Sequence, residues 1–388
     1  MIPKFQVQYG FKDFLVALGS VLSRSPTGDF RLPGFDVNGL QFLPTRRGRE
    51  ALYLLLGALG LPRGGKVGIP LYTCSVVAQT VIAAGLRPIF LDADPETFGV
   101  SLADLQVKAP GLDCLILVHA FGYPAHYDCI RSLMANKPII EDCAHGLGSR
   151  YCGQAIGCLG YAGFFAFGLF KPLSTSGGGC IVTKDRSLAD RLRSSIQDAP
   201  VEPALLELRH AVQSLLYGCA FRRPTYTVLS LIVGHSASLR GGGVLPKRII
   251  SEFLRMRRVD RSVLTARVRT SSLHDEGVFW AEVRKNLPAG WRVPPEPCYG
   301  EWNHFILPIR APDSGNCAQG ISRLRDAGVA AGRLYRACAS TAKLFGYAGG
   351  CAEAERLAES VLVLPSHAAL SRRDRRQILR CLRQLGDR

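Results

Sequence analysis

Phe164-Phe165-Ala166-Phe167-Gly168-Leu169-Phe170-Lys171-Pro172, continued by Leu173-Ser174-Thr175-Ser176-Gly177-Gly178-Gly179, sets one lysine in an apolar run, then a proline and three glycines. Apolar surroundings disfavour an ammonium, so Lys171 is expected to titrate low and to offer a neutral amine. Such an amine can attack an aldehyde carbon. The alternative is a lysine that snorkels from a strand end with its charge in water.

A second group lies upstream. Ile139-Ile140-Glu141-Asp142-Cys143-Ala144-His145 puts Asp142 at the carboxyl end of a buried strand, where ligands of open α/β sheets collect. A buried carboxylate needs a cationic partner, and a protonated pyridine nitrogen is one. The alternative for Asp142 is a helix N-cap. Gly48 and Arg49 open a helix whose free amides can hold a phosphate. Tyr72 and Cys74, in Pro70-Leu71-Tyr72-Thr73-Cys74, follow another strand end and either face a cofactor ring or pack.

Between these groups, strands and helices alternate. Strands are expected over Lys66–Pro70, Arg87–Asp92, Asp113–His119, Pro138–Glu141, Ala162–Phe167 and Cys180–Thr183. Helices are expected over Phe11–Ser23, from Arg46 to about Leu59, over Ser75–Ala84 and over Tyr127–Ala135. This alternation predicts an α/β fold with an open, mostly parallel sheet and helices on both faces. Residues 1–45 read as an N-terminal arm, 46–247 as the large domain and 248–388 as a linking helix with a smaller C-terminal α+β domain.

Residues 186–196 read as a basic helix, and Ala204–Val233 as an apolar helical hairpin broken at Arg222-Arg223-Pro224. The hairpin, within an insertion near 204–243, is a lid, a dimer-facing element or a membrane-surface helix. Gly241-Gly242-Gly243 reads as a hinge or loop, and Arg248–Arg269 as a long basic helix. The tail carries a strand Phe305–Arg310 and helices Ala318–Ala327 and Ser371–Leu385.

Taken in order, phosphate-type helix start, strand-end aromatic, Asp142 and Lys171 resemble fold-type I pyridoxal-phosphate enzymes. More narrowly, the chain resembles the DegT/DnrJ/EryC1/StrS sugar aminotransferase family. The resemblance rests on Gly48-Arg49-Glu50-Ala51-Leu52, Pro70–Cys74, Pro88-Ile89-Phe90-Leu91-Asp92-Ala93-Asp94-Pro95, Val118-His119-Ala120-Phe121-Gly122, Ile140-Glu141-Asp142 and the lysine loop. Ala354–Glu359 and Leu364-Pro365-Ser366-His367 look like the family's closing segment.

This resemblance implies pyridoxal 5'-phosphate as cofactor, with Lys171 bonding its aldehyde carbon and shuttling a proton, and Asp142 facing the pyridine nitrogen. It implies that His145 packs near the phenolic oxygen and that Gly48 and Arg49 cradle the phosphate. Cys74 falls where relatives place an aromatic on the ring, so Tyr72 is the expected substitute. The function implied is transfer of an amino group, from glutamate, to a keto group of a nucleotide-linked sugar by a cytoplasmic homodimer. The related dehydratases carry histidine in place of Lys171 and are disfavoured.

Two departures stand out. Ala166 replaces the serine that touches the phosphate in relatives, and no asparagine motif is found around Gly241-Gly242-Gly243-Val244. Ser174, Thr175 or a basic residue would have to compensate. The departures keep two other readings open: a pyridoxal-phosphate enzyme acting on an amino acid or a secondary-metabolite ketone, and a non-catalytic descendant that binds a partner.

The chain has 388 residues, 47% hydrophobic, and a net charge of +17. Residues 1–200 hold 19 Lys+Arg against 15 Asp+Glu, and the rest 29 against 16, so the second half carries the basic excess. That suits a diphosphate-bearing substrate, with Arg310 and Arg333 as its candidate contacts, while no nucleic acid is expected. Arg333 could instead bind the donor carboxylate. The start shows no signal-peptide pattern and no apolar run reaches membrane-span length. The 13 cysteines show no C-x-x-C spacing, and neither disulfides nor a metal site are expected. Cys114, Cys158 and Cys180 read as core residues.

Overall fold

The computed structural model describes residues 1–23, 30–232, 254–270 and 276–386. Its strands are β1 (Gln41–Thr45), β2 (Lys66–Pro70), β3 (Arg87–Leu91), β4 (Cys114–Val118), β5 (Ile139–Asp142), β6 (Arg150–Tyr151), β7 (Gln154–Ala155), β8 (Ala162–Ala166), β9 (Gly179–Thr183), β10 (Gly300–Glu301), β11 (Leu307–Arg310) and β12 (Val361–Leu364). Seven of them form one sheet in the order β1-β9-β8-β5-β4-β2-β3. The five strands from β8 to β3 pair in parallel. β9 runs against both β8 and β1.

β4 reads as an unbroken apolar run, and all four residues of β5 are buried, because helices cover both faces of the sheet. The helices are α1 (Phe11–Ser23), α2 (Gly48–Ala58), α3 (Ser75–Ala83), α4 (Leu102–Lys108), α5 (Tyr127–Met134), α6 (Arg186–Asp198), α7 (Ala204–Ala220), α8 (Arg223–Ile232), α9 (Arg258–Thr270), α10 (Gly277–Lys285), α11 (Ser314–Asp326), α12 (Cys338–Lys343), α13 (Ala352–Ser360) and α14 (Arg372–Gln384). α2 buries Leu52, Leu55 and Leu56 and packs along β8 and β9.

Because the five strands share one direction, the loops after β2, β4, β5 and β8 emerge at the same sheet edge. That brings Tyr72–Cys74, His119–Gly122, Cys143–His145 and the Lys171 loop together. The C-terminal portion pairs β11 with β12 and packs α10, α11 and α14 together. It closes over this edge through Trp302, whose indole N–H donates to the Phe121 carbonyl at 3.1 Å.

Several expectations shift. Gln41–Thr45, assigned to the arm, is an edge strand. Its pairing sets Pro44 opposite Cys180, and an edge is where a strand tolerates a proline. The basic helix read from Arg248 begins, among the described residues, at Arg258. Residues 248–253 and Gly241-Gly242-Gly243 lie outside the described residues, as does the boundary at 247. The helix read from Ala318 starts earlier, at Ser314, because Asp313 caps it by accepting from the Asn316 amide at 2.8 Å. The strand read from Phe305 starts at Leu307. The hairpin expected over 204–233 is present as α7 and α8. Cys114, Cys158 and Cys180 are buried.

Candidate active site

Asp142 ends β5 and is buried. Its Oδ1 accepts from the Ala144 amide at 3.0 Å. Burial pushes the Asp142 carboxyl above its ordinary range, opposed by that amide, Lys171 and His119. Lys171 Nζ lies 3.0 Å from His145 Nε2. Burial pulls Lys171 below the ordinary lysine range, while Asp142 and Cys74 act in the opposite direction. His145 is driven well below the ordinary histidine range by burial and then by Lys171, so its imidazole is neutral.

Beneath Asp142, a second set of polar groups fixes the strand end. Glu141 accepts from the amides of Leu159, Gly160 and Gly157 at 2.7, 2.9 and 2.8 Å. It also meets His119 Nε2 at 3.1 Å. His119 Nδ1 accepts from the Ala125 amide, so Nε2 carries the proton and donates to Glu141. His119, Glu141 and Cys143 lie within metal-ligand reach of one another. The histidine and glutamate lone pairs are already taken by hydrogen bonds, so the cluster reads as a structural latch.

The start of α2 is built for an anion. Its N-cap, Arg47, provides no side-chain cap. Arg46 is paired with Glu202, whereas among the described residues Arg47 and Arg49 have no acidic partner within ion-pair distance. Burial and the nearby Arg49 lower the Arg47 pKa, a sign of uncompensated positive charge. A second acid beside these arginines, Glu50, is raised by burial to about 7 despite them.

Backbones converge tightly there. A Cβ on Gly48 would stand 2.8 Å from Ala166 Cβ, and one on Gly179 would stand 2.5 Å from the Arg47 carbonyl carbon. The glycine run is therefore what lets the lysine loop close on the helix start. The Gly178 amide donates to the Arg46 carbonyl and the Phe167 amide to the Gly178 carbonyl.

The remaining candidates separate. Cys74 stands at the start of α3 without capping it and is exposed, and it belongs to the charge environment of Lys171. Tyr72 is buried, packs on Tyr335 with ring centroids 5.6 Å apart, and has Cys338 and Cys317 among its neighbours. Its unpartnered hydroxyl therefore faces the C-terminal portion. Ser174 Oγ is buried and unpartnered, while the Ser174 carbonyl accepts from Arg267 of α9. Arg310 is engaged by Glu353 and the Pro95 carbonyl. Arg333 donates to the carbonyls of Glu359 and Ser314. Neither arginine figures among the charges acting on Lys171 or Asp142.

Two residues of the site escaped the sequence. Tyr335, at φ +57°, stands against Cys74 and Asp142, and burial raises its hydroxyl well above the ordinary value. Asn303 donates to the carbonyls of His145 and Leu147 at 2.7 and 3.0 Å, which holds the loop bearing His145. Nothing in their local sequence marks them; the chain brings Asn303 in from 156 and 158 residues away and Tyr335 from farther still.

The arrangement fits pyridoxal phosphate on its own geometry. An uncapped helix start with two unpaired arginines suits a phosphate. Asp142, lifted by burial, suits a cation, and a depressed lysine suits an aldehyde.

Residues 42–205 match the model of the DegT/DnrJ/EryC1/StrS aminotransferase family. GDP-perosamine synthase of Escherichia coli O157:H7 is 35% identical over 160 residues, 40% of this chain and 44% of that protein. L-glutamine:2-deoxy-scyllo-inosose aminotransferase of Micromonospora echinospora is 31% identical over 183 residues, 45% of this chain and 44% of that protein. The matched portion thus spans less than half the length of these curated relatives. The fold is alike throughout. An aminotransferase, TlmJ, from Streptoalloteichus hindustanus superposes with a TM-score of 0.77 at 23% identity, covering 99% of this chain and 98% of that one. The PLP form of a sugar aminotransferase from Streptococcus pneumoniae gives 0.73 at 17% identity, covering 100% and 98%. The architecture is therefore that of fold-type I.

Proposed function

We propose, from the premise that residues 42–205 belong to the DegT/DnrJ/EryC1/StrS aminotransferase family, that this protein is a pyridoxal-phosphate aminotransferase. Its acceptor is the keto group of a nucleotide-linked sugar and its donor an amino acid, glutamate first. The observation that carries the reading is the grouping of buried Asp142 with half-buried Lys171 and neutral His145, with Lys171 Nζ 3.0 Å from His145 Nε2.

When bound, pyridoxal phosphate supplies an aldehyde carbon and a ring that accepts electron density. The protein's groups do the rest. Burial holds Lys171 ready as a neutral amine, able to take and return a proton at Nζ. Asp142, its Oδ1 oriented by the Ala144 amide, would hold the ring nitrogen and favour its protonated form. The α2 start at Gly48 and Arg49, with Arg47, would hold the phosphate in place of the missing serine at 166. His145, carried on the loop that Asn303 anchors, keeps Lys171 aimed, and Cys74 and Tyr335 line the same cleft. A cytoplasmic homodimer completes the proposal.

A relative of different name supports a second reading. Pleiotropic regulatory protein of Geobacillus stearothermophilus is 32% identical over 150 residues, 38% of this chain and 40% of that protein. A chain of that kind would use the site for binding and regulation without turnover. The inosose aminotransferase, named for L-glutamine, makes glutamine the second donor to test.

An amination screen separates the readings. Cofactor-loaded protein is given glutamate or glutamine and a panel of nucleotide keto-sugars, with products weighed by mass spectrometry. Formation of an amino sugar with ping-pong kinetics is expected, and Asp142→Asn should abolish it in a folded protein. Cofactor-loaded protein that aminates no nucleotide keto-sugar would sink the acceptor assignment.

A further inference from the structure

Helix α7 is built inside out. Its buried face carries Glu207, Ala211, Ser214 and Gly218. Those groups are placed there by specific contacts. Glu207 accepts from the Arg258 amide at 3.3 Å, Ser214 donates to the His210 carbonyl at 2.8 Å, and the Tyr9 backbone crosses so close that Gly218 has no room for a side chain. The opposite face bears Leu205, Val212 and Leu216, exposed by 75, 41 and 63%. Their spacing, with Arg209 between, forms one stripe along the helix.

α1 packs beside α7 and, although Phe14 and Val21 pack inward with Ala17, it too presents large apolar side chains outward. It buries Ala17 and Ser20 and turns outward Phe11, Leu15 and Leu22, which are 63, 50 and 75% exposed. A surface helix of a water-soluble domain does the reverse. Two adjacent stripes of large apolar side chains mark an interaction surface.

The charges identify what it fits. Lys12 on α1, Arg209 on α7 and Arg222 at the α7–α8 junction are exposed and, among the described residues, have no acidic partner. The acids of α1 and α7 are taken up: Asp13 pairs with Arg267 and Glu207 with Arg258. A contact with a second copy about a twofold axis would set these cations against their own kind. A surface of anionic lipid headgroups neutralises them while the leucines and Phe11 enter the acyl boundary. We propose that the outward face of α1 and α7 seats this protein on an anionic membrane surface. The inference stands independently of the chemistry of the Lys171 site.

Vesicle flotation tests it with the full chain. Vesicles of phosphatidylcholine alone and with phosphatidylglycerol are compared for the wild type, for Leu15→Ser/Leu205→Ser/Leu216→Ser, for Arg209→Glu, and for Arg373→Glu/Arg376→Glu on α14 as a charge control. The wild type should float with phosphatidylglycerol vesicles only. The triple serine variant, unchanged in charge and folded by circular dichroism, should partition about tenfold or more weakly. Arg209→Glu should weaken binding and the α14 control should preserve it. Three results would overturn the proposal: no flotation of the wild type, equal flotation of the triple variant, or equal loss in the α14 control. A wild-type dimer that the triple variant converts to monomer would overturn it as well, by assigning the face to a second copy.

Discussion

Lys171 Nζ and His145 Nε2 lie 3.0 Å apart, and burial drives both groups toward their neutral forms. Asp142 opposes this at Lys171, so the amine is tuned between desolvation and one carboxylate.

Capture of an aldehyde at Lys171 should therefore rise with pH around a midpoint below that of a free lysine. Asp142 raises the lysine's pKa, so Asp142→Asn should move the midpoint down. Stopped-flow absorbance with pyridoxal phosphate from pH 6 to 10 measures it. A midpoint that stays put would detach Asp142 from Lys171. The linkage sign agrees: above the lowered pKa the unfolded chain binds more protons at this position, so the lysine's contribution to stability rises with pH.

Gly48→Ala should damage the helix start, because its Cβ would meet Ala166 Cβ at 2.8 Å. A loss of about 1–3 kcal/mol is expected, together with weaker phosphate binding. Ala166→Gly in the same chain should recover much of both. Urea melts and binding titrations of the two single variants and the double variant check this; purely additive effects would contradict the contact.

Glu50 is raised from 4.5 to about 7 by burial. Its folded form binds the extra proton, so wild-type stability should fall as pH climbs from about 4.5 to 7. Glu50→Gln should flatten that slope and gain up to about 3 kcal/mol above pH 7. The same variant should bind inorganic phosphate more tightly than wild type at pH 8, since Arg47 and Arg49 lose the carboxylate beside them. Equal slopes in thermal melts would remove Glu50 from this account.

Asn303→Ala strips two carbonyls of their donor, those of His145 and Leu147. It should cost about 1–3 kcal/mol and loosen His145 against Lys171. Hydrogen exchange of residues 143–149 reads the loosening directly. Protection equal to wild type would leave Asn303 outside the site.

The large sheet was legible because its strands are short apolar runs broken by helices, and a parallel sheet buries both faces. Asp142 and Lys171 drew notice for a related reason: Asp142 closes a short buried strand and Lys171 is the one charge in an apolar run. β1 was missed because Pro44 argues against a strand until its edge position is known. Tyr335 and Asn303 were invisible because their role comes from tertiary closure, not from their neighbours in the chain. Arg310 and Arg333 drew notice as charges on the basic half, yet folding commits them to Glu353, Pro95, Glu359 and Ser314. The outward apolar stripes of α1 and α7 needed the structure, since the sequence shows amphipathicity without saying which face turns inward.

The central claim is that Lys171 bonds pyridoxal phosphate. Protein incubated with pyridoxal phosphate, reduced with borohydride and digested should show one modified peptide, the one containing Lys171, and none in folded Lys171→Ala. A visible absorption band that disappears on reduction should accompany it. An unmodified Lys171 in protein saturated with the cofactor, or a wild-type spectrum in Lys171→Ala, would contradict the account.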